Sequence, residues 1–349
     1  MIRLNDAVFA KLDGTIEGLR SALQSAVELE HATIPPYLYA LYSLKPDSLT
    51  ADKNLYAYQL LRSVVLEEML HMVSACNILN AIGGAPVIDA PQFIPKYPGP
   101  LPGSVESGLV VGLRRFSLDV VEHTFMTIEE PEFRPPVSAS APEPADTKTI
   151  GNYYEEIANH LAKLGDHVFT GNAARQVVHP LMPNTLTRVT DVATARRAIE
   201  IIVEQGEGTA DSPIDPEDIP AHYYRFGEIV HGRCVILRPN RGPGEALYEY
   251  GGAVVPFDPN GVWPVVDDPQ PSSYPAGSAA RVASDTFNYS YTALLKALHR
   301  SVNGSPGCIV DAVGLMESLR AQAMSMMVLP LANGHTVGPT FQYQPVLPL

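Results

Sequence analysis

Cysteine is scarce in this chain of 349 residues, and its placement points to no covalent or zinc-bound framework. The three cysteines (Cys76, Cys234 and Cys308) are odd in number and lack the paired spacing of zinc sites. The sequence contains no uninterrupted apolar run of about 18 residues, which excludes an ordinary membrane-spanning helix. No secretory signal is recognised before the polar opening Met1–Asp6. Together these absences favour a protein of the reducing cytoplasm that does not enter a membrane.

Basic residues are also scarce in this sequence. There are 24 Lys and Arg residues against 38 Asp and Glu residues, a formal net charge of −14. Nucleic acids and anionic membrane surfaces select basic faces, so both are excluded as expected partners. The chain has no glycine-rich nucleotide loop and no Gly-x-Ser-x-Gly nucleophile motif. The charge balance says little about a small-molecule substrate.

A strongly apolar stretch, Ser63–Ser74, carries a carboxylate and an imidazole three residues apart, Glu68 and His71. In an α-helix three residues advance about 300° and roughly 4.5 Å, so the two side chains lie one above the other on the same face. A charge in apolar surroundings is costly unless it is paired or binds a metal ion. The pair therefore predicts two metal ligands on one helix.

The same spacing recurs at Glu228 and His231, in a second apparent helix. Each pair is preceded by a helix with a carboxylate on its apolar side. Before the first pair this carboxylate is Glu30, which continues the apolar stripe of Leu19 and Leu23. The order of Glu helix and Glu-x-x-His helix, repeated once, is the ligand set of a four-helix carboxylate bundle that binds two iron or manganese ions.

The helix before the second pair offers two candidates for its single ligand. Glu204 and Glu207 stand three residues apart on similar faces, so either one can reach the centre of the bundle. Close to Glu30, the aromatic stripe that includes Tyr37 and Tyr39 is a candidate cavity wall, although such stripes are as common in plain cores.

The pattern predicts an all-α fold, a ferritin-like four-helix bundle with additional helices and long irregular insertions rich in Pro and Gly. The whole chain, 1–349, is expected to form one such domain. The predicted core helices span about 5–31, 51–82, 192–207 and 220–233, the insertions about 84–150 and 237–280, and the C-terminal helices about 285–327. Pro35 and Pro36 are expected to bend or break the first helix.

Five segments resemble the ferritin-like domain associated with iminophenylpyruvate dimer synthase of the violacein pathway, and match only the ferritin-like portion of that longer enzyme. They are Leu29–Tyr42 (LEHATIPPYLYALY), Glu67–Met72 (EEMLHM), Asn77–Gly84 (NILNAIGG), Gln205–Gly208 (QGEG) and Gly338–Phe341 (GPTF). The recurring run QGEG favours Glu207 over Glu204. The metal ligands implied by the resemblance are Glu30, Glu68, His71, Glu207, Glu228 and His231.

The resulting functional expectation is a dinuclear non-haem iron oxidoreductase of oxygenase type that acts on a small, amino-acid-derived metabolite of secondary metabolism. Two iron ions are the expected cofactors, with manganese as the alternative, and dioxygen is an expected co-substrate. Two other functions stay open: a metal-binding scaffold or interaction protein without redox catalysis, and an iron-handling protein of ferroxidase type. The sequence names no catalytic residue and leaves open whether the protein forms an oligomer.

Overall fold

The structure is a computed structural model that describes residues 3–103, 109–131, 148–178, 186–208, 212–215, 218–238 and 247–346. Its α-helices are α1 (Asp6–Phe9), α2 (Ile16–Tyr42), α3 (Pro46–Thr50), α4 (Leu55–Ala81), α5 (Leu118–Val120), α6 (Met126–Ile128), α7 (Ile150–Leu164), α8 (Val192–Gly206), α9 (His222–His231), α10 (Ala279–Val302) and α11 (Ile309–Met327). Two strands, β1 (Arg233–Leu237) and β2 (Tyr248–Val254), pair antiparallel with a bulge near Arg233.

Four helices close a ring around the main core. α2 packs along α4, α4 on α8, α8 on α7, and α7 back on α2. α9 packs on α4 and on the segment between α5 and α6, and the hairpin of α10 and α11 covers α4 and α2 from outside. The helix that completes the ring is therefore α7, whereas the sequence assigned this place to the segment 220–233.

α2 is longer than the sequence indicated, because it continues through Pro35 and Pro36 to Tyr42. A proline at position 36 has no N–H to donate to the carbonyl of Ala32, four residues earlier. The hydroxyl of Tyr97, from the first insertion, donates to that carbonyl at 2.7 Å. The tertiary structure thus replaces a hydrogen bond that the helix cannot make for itself, and this helps the helix to continue.

We expect Tyr97→Phe to lower the free energy of unfolding by about 1–3 kcal/mol, because it leaves the buried Ala32 carbonyl without its hydroxyl partner. Urea unfolding followed by circular dichroism measures the change. Tyr58→Phe, which removes a hydroxyl from a half-buried tyrosine of α4, is the control. An equal loss in both variants would contradict the assigned role of the Tyr97 hydroxyl.

The helical segment 118–128 is irregular in its middle. The Ser117 side chain caps its start by accepting from the Val120 N–H, and Val121–Phe125 then forms a π-helical turn between α5 and α6. π turns inside helices often occur at functional sites. Glu129, the residue that follows α6, is buried with only 8% of its surface exposed.

The insertions are packed onto the bundle where the structure describes them. Residues 104–108 and 132–147 of the first predicted insertion, and 239–246 of the second, lie outside the described residues. The C-terminal tail is largely buried at Thr340 and Phe341, and the Thr340 hydroxyl bonds to Ser284 and Asn288 of α10. Within the described ranges, no helix combines the length and the apolar character needed to cross a membrane.

Candidate metal centre

Two groups of potential metal ligands share one carboxylate at the junction of α2, α4, α6 and α9. The first contains Glu30, Glu68 and His71, and the second contains Glu68, Glu129 and His222. In each group the ligand atoms lie within 4.8 Å of one another, and all five side chains are buried. Glu68 therefore stands between two triads, each completed by one histidine and one further carboxylate.

The inward-facing nitrogen of each histidine is Nδ1. His71 Nδ1 lies 3.6 Å from Glu30 Oε2 and 3.7 Å from Glu68 Oε1. His222 Nδ1 lies 2.9 Å from Glu68 Oε1 and 3.4 Å from Glu129 Oε2. The two imidazole rings are stacked, with centroids 5.6 Å apart. Both Nδ1 atoms thus point into the space between the three carboxylates.

The outward-facing nitrogen of each histidine has a fixed partner. His71 Nε2 lies 2.9 Å from Gln205 Oε1, which can only accept, so Nε2 carries the proton. His222 Nε2 lies 2.8 Å from Glu67 Oε2, and Arg225 Nη2 lies 2.8 Å from the same oxygen. Metal-binding histidines usually donate their second N–H to such a partner, which sets the tautomer and the ring orientation.

The charge on Glu67 is held in place by these partners. Burial by itself raises the pKa of Glu67, but His222 and Arg225 outweigh burial and lower the pKa to about 2. Glu67 is therefore ionised and able to accept from the imidazole at any ordinary pH. Arg225 is buried and also donates to Ser63 Oγ at 3.0 Å, so the pair anchors α9 to α4.

The other titrating groups show that the centre lacks positive charge. Burial raises the pKa of Glu68 to about 7, with the charge of Glu129 adding to the increase. Burial lowers the pKa of His71, but Glu30 and Glu68 outweigh it and raise the pKa above its usual value. Burial also lowers the pKa of His222, but Glu129, Glu67 and Glu68 outweigh burial and raise this pKa well above its usual value. The shifts share one cause, the negative charge of carboxylates buried close together, and a bound metal cation would offset that charge.

The residues present fit a metal ion. His222 Nδ1 is buried and makes no hydrogen bond of acceptable geometry, although it lies 2.9 Å from Glu68 Oε1. An unsatisfied imidazole nitrogen beside carboxylate oxygens is a combination that iron, manganese or zinc accepts. Bound metal would satisfy this atom and offset the charge of three neighbouring carboxylates, Glu30, Glu68 and Glu129.

A small cavity of about 50 Å³ adjoins the centre, which is room for roughly three or four water molecules. Glu30, Glu68, His71 and Glu129 form one wall. Gly206 and Gly151 also line it, and much of the remaining wall is aliphatic: Leu29, Leu101, Ile128, Ile150, Ile202 and Val203. Two carboxylate-and-histidine triads beside a small, mainly apolar cavity are an arrangement suited to metal-based chemistry on a small molecule.

A family model described as ferritin-like matches residues 23–231, more than half of the chain. The chain belongs to the ferritin-like family. A crystal structure of a ferritin-like protein from Caulobacter vibrioides shares the fold, with a TM-score of 0.61 and 26% sequence identity over 92% of this chain and 97% of that one. The ferritin-like fold and the resemblance noted in the sequence are thus confirmed.

A relative of known activity is similar over most of this chain. Dichlorochromopyrrolate synthase from Lentzea aerocolonigenes is 23% identical over 379 residues, an alignment that covers 92% of this chain and 35% of that enzyme. The chain therefore spans about a third of the length of this relative.

The structure brings together Glu30, Glu68 and His71, three of the ligands expected from the sequence. Glu207 lines the cavity, but its Oε1 accepts from the N–H of Gly151 at 2.9 Å, and it belongs to neither triad. Glu204 lies toward solvent, 3.7 Å from Arg197. Of these two alternatives, only Glu207 is near the centre.

The second Glu-x-x-His pair is not part of the cluster. Glu228 accepts from Tyr56 at 2.6 Å and from the Val235 N–H at 2.8 Å, which ties α9 to α4 and β1. His231 is exposed and stacks on Tyr250. His222 and His231 are nine residues apart, about half a turn of helix in phase, so they face opposite sides of α9.

The expected cavity wall also differs. Tyr37 and Tyr39 are fully buried, but neither is among the residues that line the cavity. The Tyr37 hydroxyl donates to Glu129, and the Tyr39 hydroxyl donates to the Val266 carbonyl. Tyr154 of α7 lines the cavity instead.

Sequence reasoning missed Glu129 and His222. Both had weak signals: Glu129 continues the buried face of Phe125, and His222 precedes the buried Phe226 by four residues. Each lies at a helix end, where the apolar pattern is too short to define which side faces the core.

Proposed function

We propose that the protein is a dinuclear non-haem iron oxidoreductase that acts on a small metabolite, with amino-acid-derived compounds as the expected class. The observation that carries this proposal is the pair of buried triads that share Glu68. A carboxylate between two sites, with one histidine and one further carboxylate on each side, suits two divalent ions held side by side. Manganese is the alternative metal.

Bound iron would supply the redox chemistry with dioxygen, and the chain supplies the geometry around it. Glu30, Glu68 and Glu129 would hold the metals together with the Nδ1 atoms of His71 and His222. Gln205 and Glu67 keep the proton on each Nε2, so that each Nδ1 presents a lone pair. The aliphatic side chains of the cavity wall make the surroundings of the centre mainly apolar.

The cavity beside the centre is small. Its volume of about 50 Å³ gives room for a diatomic molecule or a few waters next to the carboxylates. This supports dioxygen as the co-substrate that occupies the cavity. The relative named above supports a biosynthetic reaction on a small molecule.

The decisive experiment measures metal content by plasma mass spectrometry, and then absorption after anaerobic ferrous loading and exposure to dioxygen. We expect close to two irons per chain and an absorption change that requires dioxygen. Bound iron that never reacts with dioxygen would overturn the oxidoreductase proposal in favour of a metal-bound scaffold. A folded protein that refuses iron, manganese and cobalt would overturn the metal centre as well. Release of iron into a growing mineral after oxidation would favour iron handling.

Gly206 is expected to keep the cavity open. A Cβ atom placed on Gly206 would lie 3.9 Å from Glu129 Oε2. Among the described residues, leaving out its chain neighbours and the nearby backbone of its own helix, no atom would be nearer. In Gly206→Ala the new methyl group therefore enters the cavity without a clash. We expect azide to bind the iron-loaded variant about 10-fold more weakly or worse, with metal content and folding retained.

The control is Gly314→Ala, at an exposed glycine within α11. A Cβ atom placed there would have no described neighbour within 4 Å, apart from its chain neighbours and the nearby backbone of its own helix. Both variants gain helix propensity, but only Gly206→Ala changes the cavity. Equal azide affinity in the two variants would show that Gly206 does not shape the ligand site.

A further inference from the structure

Glu30 and Glu129 each belong to only one of the two triads, and both are held in the same way. Glu30 Oε1 accepts a hydrogen bond from the Tyr154 hydroxyl at 2.5 Å, while its Oε2 faces His71. Glu129 Oε1 accepts from the Tyr37 hydroxyl at 2.5 Å, while its Oε2 faces His222. In each case one oxygen is engaged by a buried phenol and the other points to the space between the triads.

The shared carboxylate repeats the arrangement with a smaller donor. Glu68 Oε2 accepts from the Thr33 hydroxyl at 2.8 Å, and Glu68 Oε1 faces both histidines. Each of the three carboxylates therefore has one oxygen that faces a histidine and another oxygen that accepts a hydrogen bond from a hydroxyl group. A free carboxylate can turn to bind a metal through both oxygens, and a charge-assisted hydrogen bond to one oxygen opposes that rotation.

We propose that Tyr154 and Tyr37 are positioning residues that restrict Glu30 and Glu129 to one-oxygen ligation, each controlling one of the two metal sites. The inference rests on the proposed dinuclear centre and extends it to residues outside the ligand set. A metal ion held by one oxygen of Glu30 or Glu129 would keep more of its coordination positions free for other ligands. Each phenol also fixes the distance between its carboxylate and the partner histidine.

The neighbouring tyrosines show that burial alone does not produce this arrangement. Tyr153 precedes Tyr154 on α7, is equally buried, and donates to the Ala22 carbonyl at 2.9 Å. Tyr39 lies two residues after Tyr37 on α2, is equally buried, and donates to the Val266 carbonyl. These two hydroxyls serve backbone carbonyls, so Tyr153→Phe and Tyr39→Phe are matched controls for the loss of a buried hydroxyl.

The test titrates each variant with cobalt(II), whose visible absorption reports coordination number, and uses histidine variants to isolate each site. In a His222→Ala background, where Glu30, Glu68 and His71 hold the remaining ion, we expect Tyr154→Phe to weaken cobalt binding about 10–100-fold. Tyr37→Phe should leave this affinity within about threefold. In a His71→Ala background the roles of the two tyrosines should reverse.

The cobalt spectrum supplies a second readout that a structural defect would not reproduce. Release of the outer oxygen should raise the coordination number at one site and weaken its visible bands. The control variants should keep the wild-type spectrum even if their unfolding temperature falls. Equal effects of Tyr37→Phe and Tyr154→Phe at both sites, or losses in the controls as large as theirs, would overturn the positioning roles.

Failure of this inference is distinguishable from failure of the proposed function. If the wild-type protein binds two cobalt ions and the tyrosine variants bind them unchanged, the metal centre stands and the positioning roles are wrong. If the wild-type protein binds none, the proposed centre and the inference built on it are both overturned.

Discussion

Glu68→Gln is expected to abolish binding of both metals at once, so that iron content falls from close to two ions per chain to close to none. The reason is that Glu68 is the one carboxylate that belongs to both triads. Glutamine has the same shape and can still accept from the Thr33 hydroxyl, but it lacks the charge and is a poor metal ligand. Metal content by plasma mass spectrometry is the measurement.

The matched control is Glu228→Gln, which also replaces a buried glutamate by its amide. Burial raises the pKa of Glu228 as it does that of Glu68, but Glu228 bonds to Tyr56 and the Val235 N–H away from the triads. We expect this variant to retain both metals. Loss of metal in Glu228→Gln as well as in Glu68→Gln would favour the ligand set suggested by sequence spacing over the one drawn from the structure, because Glu68 belongs to both sets and Glu228 only to the first.

The pH dependence of stability can distinguish an effect of Glu68→Gln on folding from its effect on metal binding. The pKa of Glu68 in the folded metal-free protein is about 7, above its ordinary value. An acid with a raised folded pKa contributes stability that is present below its unfolded pKa and is lost as pH rises toward 7. The metal-free Glu68→Gln protein lacks this loss. At pH 8 its free energy of unfolding should therefore be at least as large as that of the metal-free wild type. Added iron should stabilise only the wild type.

His222→Ala is expected to remove one metal and leave the other. The variant loses the histidine of the second triad, whereas Glu30, Glu68 and His71 remain in place. We therefore expect close to one iron per chain in place of two. Glu67 keeps its ion pair with Arg225, so α9 should stay anchored to α4.

The control for this variant is His231→Ala on the same helix. His231 is exposed and stacks on Tyr250, so its removal should leave both metals bound. Titration of anaerobic protein with ferrous iron should give one equivalent for His222→Ala and two for His231→Ala. The reverse pattern would show that α9 presents its other face to the metals.

The first half of the candidate site could be predicted because its signals are local. Glu68 and His71 lie on one face of an apolar helix, and Glu30 interrupts an apolar stripe with a charge. In both cases the surrounding hydrophobic residues show which side of the helix is buried, and a buried carboxylate without a partner is too costly to be incidental. The structure accordingly brings these three side chains together.

The second half could not be predicted, because spacing along a helix does not say which face turns inward. Glu228 and His231 have the spacing of a ligand pair, but the packing of α9 on α4 places His222 inward and His231 outward. Glu129 follows a π turn that shifts the phase of the helix, so the apolar pattern before the turn does not place it and the four-residue step from Phe125 is the weak signal that remains. Both outcomes depend on contacts between elements far apart in the chain.

The ferritin-like family, the helical class and three of the five residues in the two triads could be recognised from the sequence alone, since apolar periodicity and i,i+3 spacing are properties of single helices. The tertiary structure was needed to show that Glu129 and His222 complete the cluster, that Glu67 and Arg225 hold His222, and that two tyrosines hold Glu30 and Glu129. Those arrangements follow from how the helices rotate and pack against one another, which depends on the whole core and is not encoded in any one segment.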